Sequence, residues 1–597
     1  MKKLIALTIS LVLVVGLFAG CGQTRDNEAE LKGPDITILA NAGVGDEAYA
    51  NVVRDQLVKA GFNPTISMQP DYASFRSQID AGNFDLAITY WNTVTGSPDY
   101  AMRSVWHSEG PLNLYKIYDD HMDELIELGA SQTEAEYRKT YEELETYMIE
   151  EKAYTIPIYV SYKTLAFNNK ILQDESVHVS KSRSMQWEPL NYVDESLNDT
   201  QPCVLTQTYS DLTPLDPVRS DDGSTFQLNT NSYIRLVNLT DTDEITTNST
   251  LTRAYAIGES NADFYFLLRD DVNFAKVEDM HAVDSGERVG AEDVVFSIDR
   301  MVNKDRVPDH KNFANFTAVD GYEIYTDLEA LKTAQAQEGK TVYETLMEGA
   351  TGEITALTAD KTQVDNANGT YQVVHVTTKY AFPQILNVFA HSSGGIVSKN
   401  QIETINAGYD PATYDVAKDV LYGDQVTYTE GDGYNNTLVC SGPYIPIKKN
   451  DYEILFEKNP GYMPQDEYAP HIKTIQVKII KDTENALSAL RAGELYLLQS
   501  IPTSKIEIVK EDENLTFKEI SGNAYNYVAF NFSGVFGDED LRKAALYAID
   551  QKGISAVFND RLIPTYSPLT PVLQTGKELL ADPQKSAEYL KKWIDKQ

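Results

Sequence analysis

The chain holds 89 Asp and Glu residues and 37 Tyr, so carboxylates and aromatic hydroxyls dominate the chemistry it can offer. Two carboxylates facing one another could hydrolyse a glycosidic bond by general acid and base catalysis. With so many acids, some such pair is always available by chance. Sharper catalytic patterns are missing: there is no H-E-x-x-H, no G-x-S-x-G and no Walker A loop. The eight His are scattered without ligand spacing, and Cys203 and Cys440 match no zinc pattern. No metal or cofactor is therefore expected. Those two thiols could form one disulfide in an exported protein, but their separation in sequence leaves the geometry open. Tyr, a flat apolar face ending in a hydroxyl, is the combination wanted by sites that hold polar ligands.

A net charge of −38 excludes nucleic acid as a natural partner, because affinity for a phosphate backbone comes largely from Lys and Arg. Disorder throughout is excluded by 42% hydrophobic and 10% aromatic residues. The first 21 residues place Lys2 and Lys3 before an apolar run from Leu4 to Phe18, followed by Ala19, Gly20 and Cys21. That is the pattern of a signal peptide. It resembles a bacterial lipobox, with Phe18 where Leu is usual, which implies cleavage before Cys21 and a lipid on its thiol. The alternative is an uncleaved anchor. Residues 22–34 are polar and without periodicity, a tether between lipid and globule. No later stretch approaches the 18 apolar residues of a membrane span.

These groups must be positioned by the elements that follow. Ile36–Leu39 is β-branched, and Ala48, Val52, Val53, Leu57 and Ala60 recur at helical spacing before Gly61. A strand over Thr65–Met68, a helix over Tyr72–Ala81 and a strand over Phe84–Tyr90 complete a β-α-β-α-β run. Such alternation predicts a mostly parallel sheet with ligands at loops beyond the strand ends. Thr133–Glu151 reads as a long charged helix and the stretch from Thr155 as a strand. Ser180–Pro202 is polar and irregular and reads as a linker. From Val204 the chain turns to short alternating strands of α+β character, with a helical, acidic insertion at about Leu328–Thr362. Asp71 and Asp482 each stand 11 positions before the Gly of an Ala-Gly pair, Gly82 and Gly493. Either this is ordinary helix-stop chemistry or it marks two topologically similar lobes.

The segment GERVGAEDVVFSIDRMVN (286–303) resembles the motif of the bacterial extracellular solute-binding proteins of family 5, receptors of ABC importers for oligopeptides, dipeptides, nickel or glutathione. LTPLDP (212–217), FYFLLRDDVNF (264–274), SGPYIPIKK (441–449), FEKNPGYMP (456–464), VKIIKDTENALSALRAGEL (477–495) and the NYVAFNFS to YAID region (526–550) agree in order. Residues 35–193 resemble the carboxyl-terminal part of the same family, yet here they come first. The final helix, PQKSAEYLKKWIDKQ, resembles the one that ordinarily leads into the strand found at Asp35. The chain therefore resembles a circularly permuted member. The implied fold is α/β, two-lobed and periplasmic-binding-protein-like, of class C with an extra α+β subdomain. The corresponding division is 1–21 signal peptide, 22–34 tether, 35–193 α/β lobe, 194–202 linker and 203–597 α+β lobe or lobes, with a final helix over 583–596 packed on 35–193.

The resemblance implies a lipid-anchored, extracytoplasmic monomer that is not an enzyme and that hands a small solute or peptide to a permease and ATPase. A cell-surface glycoside hydrolase is the alternative. The family's principal ligand loop corresponds to YWNTVTGSPDYAMRSVWHS (90–108). Where many peptide-binding members carry an Asp for the ligand ammonium, this chain has Val94, which cannot neutralise a desolvated charge. A second family pattern matches Trp91, Thr95, Gly96, Asp99, Tyr100 and Ala101. It makes Asp99 the ammonium partner and Arg103 a bidentate carboxylate partner; the alternative is that Asp99 caps the following helix. Asn92 belongs to the same loop. Tyr525, Asn526 and Tyr527, on a strand that borders the cleft in the family, are secondary candidates, and Tyr233 is a weaker one.

Overall fold

A computed structural model describes residues 31–597 except 43–45, 111, 208–213, 221 and most of 406–437. The signal segment and Cys21 lie outside the described residues, as do Leu212 and Thr213 of the 212–217 stretch. The chain begins with β1 (Asp35–Asn41), α1 (Asp46–Lys59), β2 (Asn63–Gln69), α2 (Tyr72–Ala81) and β3 (Leu86–Asn92). On α1 the buried stripe is Tyr49, Ala50, Val53 and Leu57, so the helix is turned slightly from the expected face and Ala48 is exposed. At the start of α2 the Asp71 side chain accepts from the Ser74 N–H at 2.7 Å, and Gly82 ends the helix with a left-handed φ of 72°. Next come α3 (Pro98–Val105), α4 (Asp120–Ser131) and α5 (Glu134–Glu145), which widens into a π-helical turn at Thr146–Glu151 before β4 (Thr155–Asn168).

The second part of the chain contributes β5 (Cys203–Gln207), α6 (Gly223–Ser232), the short hairpin β6 (Asn238–Leu239) and β7 (Ile245–Thr246), β8 (Thr252–Ile257), β9 (Asp263–Leu268) and α7 (Ala291–Val302). It continues with β10 (Val319–Tyr325), β11 (Val373–Thr378), α8 (Ile385–Ala390), β12 (Tyr444–Lys449), β13 (Glu453–Lys458) and β14 (Thr474–Ile479). Last are α9 (Thr483–Arg491), β15 (Leu497–Gln499), β16 (Leu515–Phe530), α10 (Glu539–Ala548), β17 (Leu562–Pro564) and α11 (Pro583–Ile594). Asp482 caps α9 and Gly493 follows it at φ 76°, as Asp71 and Gly82 do for α2. The shared spacing is cap chemistry. The topologies differ, because α2 joins two strands of one sheet whereas α9 joins β14 and β15 in different sheets.

The largest sheet has the order β15-β4-β16-β3-β1-β2, with β17 added on β4. Only β1-β2 and β1-β3 are parallel; β16 pairs antiparallel with both β3 and β4. The expected mostly parallel sheet is thus mixed. Parallel pairing needs a crossover, and the β-α-β repeat that supplies crossovers stops at β3. Two further sheets, β10-β11-β9-β8 and β12-β13-β14-β5, are built mainly from antiparallel pairs.

Two lobes follow from the cores. One gathers Ile38, Leu39, Ala87, Ile88, Ile156, Val528, Phe530 and Leu590. Others gather Phe266, Val294 and Phe389, or Trp187, Tyr444, Phe456 and Val477. Strands β4 and β16 run from one lobe into the other: Ile156 and Ile158 lie in the first core, Leu165 and Phe167 in another. Their register breaks between Ser521 and Tyr525, where any side chain at Gly522 would lie 2.7 Å from the Ser161 carbonyl oxygen. In α11, Leu590 is fully buried in the first core, and Ser586 Oγ donates to the Ala544 carbonyl at 2.7 Å.

Residues 180–193 are not a linker. Trp187, Leu190 and Tyr192 are fully buried, with the Trp187 ring 5.1 Å from Phe456 and 5.9 Å from Tyr444. Polar neighbours masked the few large apolar residues that decide burial. Exposure is confined to about 193–200. The 328–362 segment forms only short helices, and its Leu331, Val342 and Leu346 pack on Tyr265, Leu267 and Val373. Cys203 and Cys440 are both buried and free. Two of the sequence motifs meet in a buried ion pair, Arg300 with Asp216 at 2.6 Å. Among the described residues no helix is long and apolar enough to cross a membrane.

Candidate ligand-binding site

Strand β3 ends at the break between β4 and β16, and the loop that leaves it is pinned there. Thr93 N–H donates to the Asn523 carbonyl at 2.9 Å, and Asn523 Nδ2 returns a bond to the Thr93 carbonyl at 3.2 Å. Thr93, Thr95 and Ser97 are all buried. What covers them is the other lobe. Asn387 Nδ2 donates to the Thr95 carbonyl at 3.1 Å, and Gln384 Oε1 accepts from the Asp99 N–H at 2.9 Å and from Ser97 Oγ. Gln384 Nε2 in turn donates to the Tyr141 hydroxyl at 3.2 Å.

Gly96 sits at the centre of this clasp. Its φ of 65° lies in the left-handed region that favours glycine. A Cβ there would be 2.9 Å from Cγ of Asp243, in the β6-β7 hairpin. Asp243 is itself held by Ser182, whose Oγ and N–H donate to it at 2.8 and 3.1 Å. Lys163 of β4 lies nearby, donating to the carbonyls of Lys181 and Arg183 at 3.3 and 3.2 Å. Burial lowers its ammonium to about 8, against the attraction of Asp243.

The loop continues into α3, whose cap is Ser97 rather than Asp99: the Ser97 hydroxyl accepts from the Tyr100 N–H at 3.3 Å, with Pro98 at the first helical position. Asp99 lies one residue further on, where a carboxylate also suits the helix dipole, and is 3% exposed. Its partner is Arg103, one turn along, with contacts of 3.0 and 3.1 Å from Nε and 3.0 Å from Nη2. The two groups expected to take opposite ends of a ligand are therefore paired with one another. Burial pushes the Asp99 carboxyl up from its ordinary range, with the Arg103 charge opposing. The Arg103 side chain remains 29% exposed.

The remaining candidates separate. Trp91 is half-buried, its ring 5.6 Å from that of Tyr100, and its indole N–H is buried without a hydrogen-bond partner. Asn92 is exposed at the end of β3. Tyr525 is fully buried and its hydroxyl accepts from Trp106 Nε1 at 3.2 Å; Tyr527 stacks on it at 4.9 Å. Both belong to the first core, since residues two apart share one face of a strand. Asn526 points to the opposite face and is 8% exposed. Tyr233 lies in another core, its hydroxyl donating to the Leu215 carbonyl at 2.7 Å and lying 3.0 Å from the Tyr422 hydroxyl. Asp243, Gln384 and Asn387 carried no signal in the sequence, because they meet the loop only through the fold. The Asp99-Arg103 pair did carry one, the i,i+4 spacing of opposite charges on a helix.

The family model described as bacterial extracellular solute-binding proteins, family 5 Middle, matches residues 17–113 and 251–593. No curated protein matches. Solved structures similar to this chain include DppA, an ABC transporter-associated periplasmic binding protein from Helicobacter pylori in complex with the peptide STSA, at 16% identity and TM-score 0.41, with 67% of each chain covered. HbpA2 from Haemophilus parasuis is 17% identical, with TM-score 0.40 over 66% of this chain and 73% of that one. MoaA from A. tumefaciens R10, in complex with mannopinic acid, is 16% identical with TM-score 0.38 over 66% of this chain. The chain spans 65% of the length of MoaA.

Proposed function

Because the chain belongs to the bacterial extracellular solute-binding proteins of family 5, we propose that it is the receptor of an ABC importer, taking an oligopeptide or a related small solute between its lobes and passing it to a permease. The observation that carries this reading is the clasp at Gly96, where a loop of one lobe is hydrogen-bonded by Gln384 and Asn387 of the other and abuts its Asp243. A receptor of this kind needs two lobes that separate and close. Strands β4 and β16, with their broken register, are the hinge. Asp99, steadied by Arg103, takes the ligand ammonium in place of the residue missing at Val94, and further ligand contacts are assigned to Trp91, Asn92, Thr95 and Asn526.

The same proposal makes the chain a lipoprotein anchored through Cys21 outside the cytoplasmic membrane, and a circular permutant in which 35–193 and 203–597 are joined through 194–202. The shared core of β1, β3, β16 and α11 supports the permutation, since it brings the first and last parts of the globule together. The test of function is to extract co-purified solute from the native protein, identify it by mass spectrometry and return it to the emptied protein in a calorimeter. Stoichiometric binding with recovery of unchanged solute is expected. Recovery of a cleaved product would make the protein an enzyme and overturn the reading.

A further inference from the structure

Two segments attach to the outer edge of β4 where it passes from one lobe to the other. Strand β17 pairs with it at Tyr159–Ser161 and β15 at Leu165–Phe167. Just after β15, the Ser500 N–H donates to the Thr164 carbonyl at 2.8 Å and the Ile501 N–H to Thr164 Oγ at 2.9 Å. Tyr162 and Lys163 lie between the two attachments. Strand β16 covers the other edge of β4 and separates it from β3, so this edge lies opposite the clasp at Gly96. We propose that Arg561 braces the hinge here: its guanidinium, held by Glu507 and Glu519, ties the lobes together on the edge away from the clasp and favours their closed arrangement. The inference rests on the reading of the chain as a receptor with two moving lobes.

Each attachment carries one side of an ion pair. Arg561 stands directly before β17, and the helix Gln551–Val557 that precedes it belongs to the first core through Ile554, with Phe558 and Leu562 packed against that core. Glu507 follows β15 in the short helix Ile506–Lys510, whose Ile506 and Val509 are buried with Val204 of β5 and Leu490 of α9. Arg561 Nη2 donates to Glu507 Oε1 at 2.6 Å, and Nη1 lies 3.6 Å from Glu519 Oε2 of β16. Glu519 comes before the register break of β16. Both carboxylates therefore stand on the side of the second lobe, and the guanidinium comes from the first.

The arginine is firmly mounted. Asn559 and Asp560 both have a φ of 56°, a left-handed conformation that Asn and Asp tolerate better than other side chains. Ser555 ties this turn to the helix: its carbonyl accepts from the Phe558 and Asp560 N–H groups at 2.9 and 3.0 Å, and its hydroxyl donates to the Leu562 carbonyl at 2.6 Å. The Arg561 side chain is only 21% exposed, which limits how far it can follow Glu507. At 2.6 Å the contact is already at the short end for a charged hydrogen bond, so rotation of the lobes about β4 and β16 lengthens or breaks it. Glu507 is 75% exposed. A pair so open to water is weak and screened by salt, which makes it a bias on the equilibrium between open and closed lobes.

The experiment is double electron–electron resonance on the full-length protein in detergent, with spin labels on Val58→Cys of α1 and Tyr452→Cys of the β12-β13 turn, both exposed positions. In 0.05 M KCl the longer, open population should rise about 2- to 5-fold in Arg561→Gln and in Glu507→Gln, the range for an exposed ion pair. Raising KCl to 1 M should produce the same rise in the unchanged chain and little more in either variant. Glu507→Arg sets two cations face to face and should open the lobes further than Glu507→Gln. Both changes at the exposed Glu507 keep the test available if Arg561→Gln does not fold. Labels that move apart in Gly96→Ala but ignore these variants, or a salt response equal in every chain, would overturn the brace alone. Labels that stay fixed in Gly96→Ala as well would overturn the hinged reading and the brace with it.

Discussion

Replacing Gly96 with Ala should hold the lobes apart. Part of its effect is present in every conformation: a left-handed residue with a Cβ costs about 1–2 kcal/mol, and Gly96 has φ 65°. The second part exists only when the lobes touch. The new methyl would stand 2.9, 3.0 and 3.1 Å from Cγ, Cβ and Oδ2 of Asp243, well inside ordinary contact. Asp243 cannot swing aside freely, because it accepts from the Ser182 N–H and hydroxyl at 3.1 and 2.8 Å. Losing those bonds costs about 1–2 kcal/mol, so closure, and with it solute affinity, should weaken about 5- to 30-fold. Small-angle X-ray scattering reads the larger radius of gyration directly, and calorimetry with the co-purified solute reads the affinity. Adding Asp243→Gly removes the Cβ and the carboxylate together, at a φ of 77° that glycine accepts, so the double variant should recover most of the loss, with a coupling of about 1–2 kcal/mol. Additive effects, or an unchanged radius and affinity in Gly96→Ala, would refute the idea that this contact governs closure.

Four further outcomes are expected. Asp99→Asn should weaken binding of amine-bearing solutes by about 2–5 kcal/mol while the cap at Ser97 stays intact; equal affinity in calorimetry would mean a solute without an ammonium. His391 is held neutral by burial, with Arg235 adding to the effect, so that its pKa falls to about 4. Since the unfolded chain titrates near 6.5, the unfolded state binds more protons between these values. Stability should be complete above about pH 6.5 and fall by about 3 kcal/mol towards pH 4, and a His391→Asn variant should show a shallower loss in urea unfolding across that window. Leu590→Ala, which empties a fully buried position beneath Gly61, should cost about 2–5 kcal/mol and lower hydrogen-exchange protection at 35–90; unchanged protection there would argue against docking of α11 on the first strands. Cys21→Ala should release the protein from the detergent phase, since one lipidated thiol would carry all the anchorage; retention would point to an uncleaved anchor.

Local rules made much of the first block legible. The helix over Tyr72–Ala81 follows from Asp71 and Gly82, and the strands around it from short β-branched and apolar runs, because caps and periodicity act over a single turn or pleat. The ordered motifs from 212 to 550 fixed the family for the same reason: they are contiguous. Tertiary structure decided the rest. Whether β3 would pair parallel or antiparallel on its second edge depended on β16, over 400 positions away, as did the burial of Tyr525 and Tyr527 beneath Trp106. Trp187, Leu190 and Tyr192 looked like a polar linker because composition averages over neighbours, whereas burial is set by the few side chains that reach Tyr444 and Phe456. Gly96 could be singled out by sequence, but not its need for Asp243, nor the grip of Gln384 and Asn387 on the same loop. Contacts between lobes leave no spacing in the chain. They exist only where the packed surfaces of the two lobes meet.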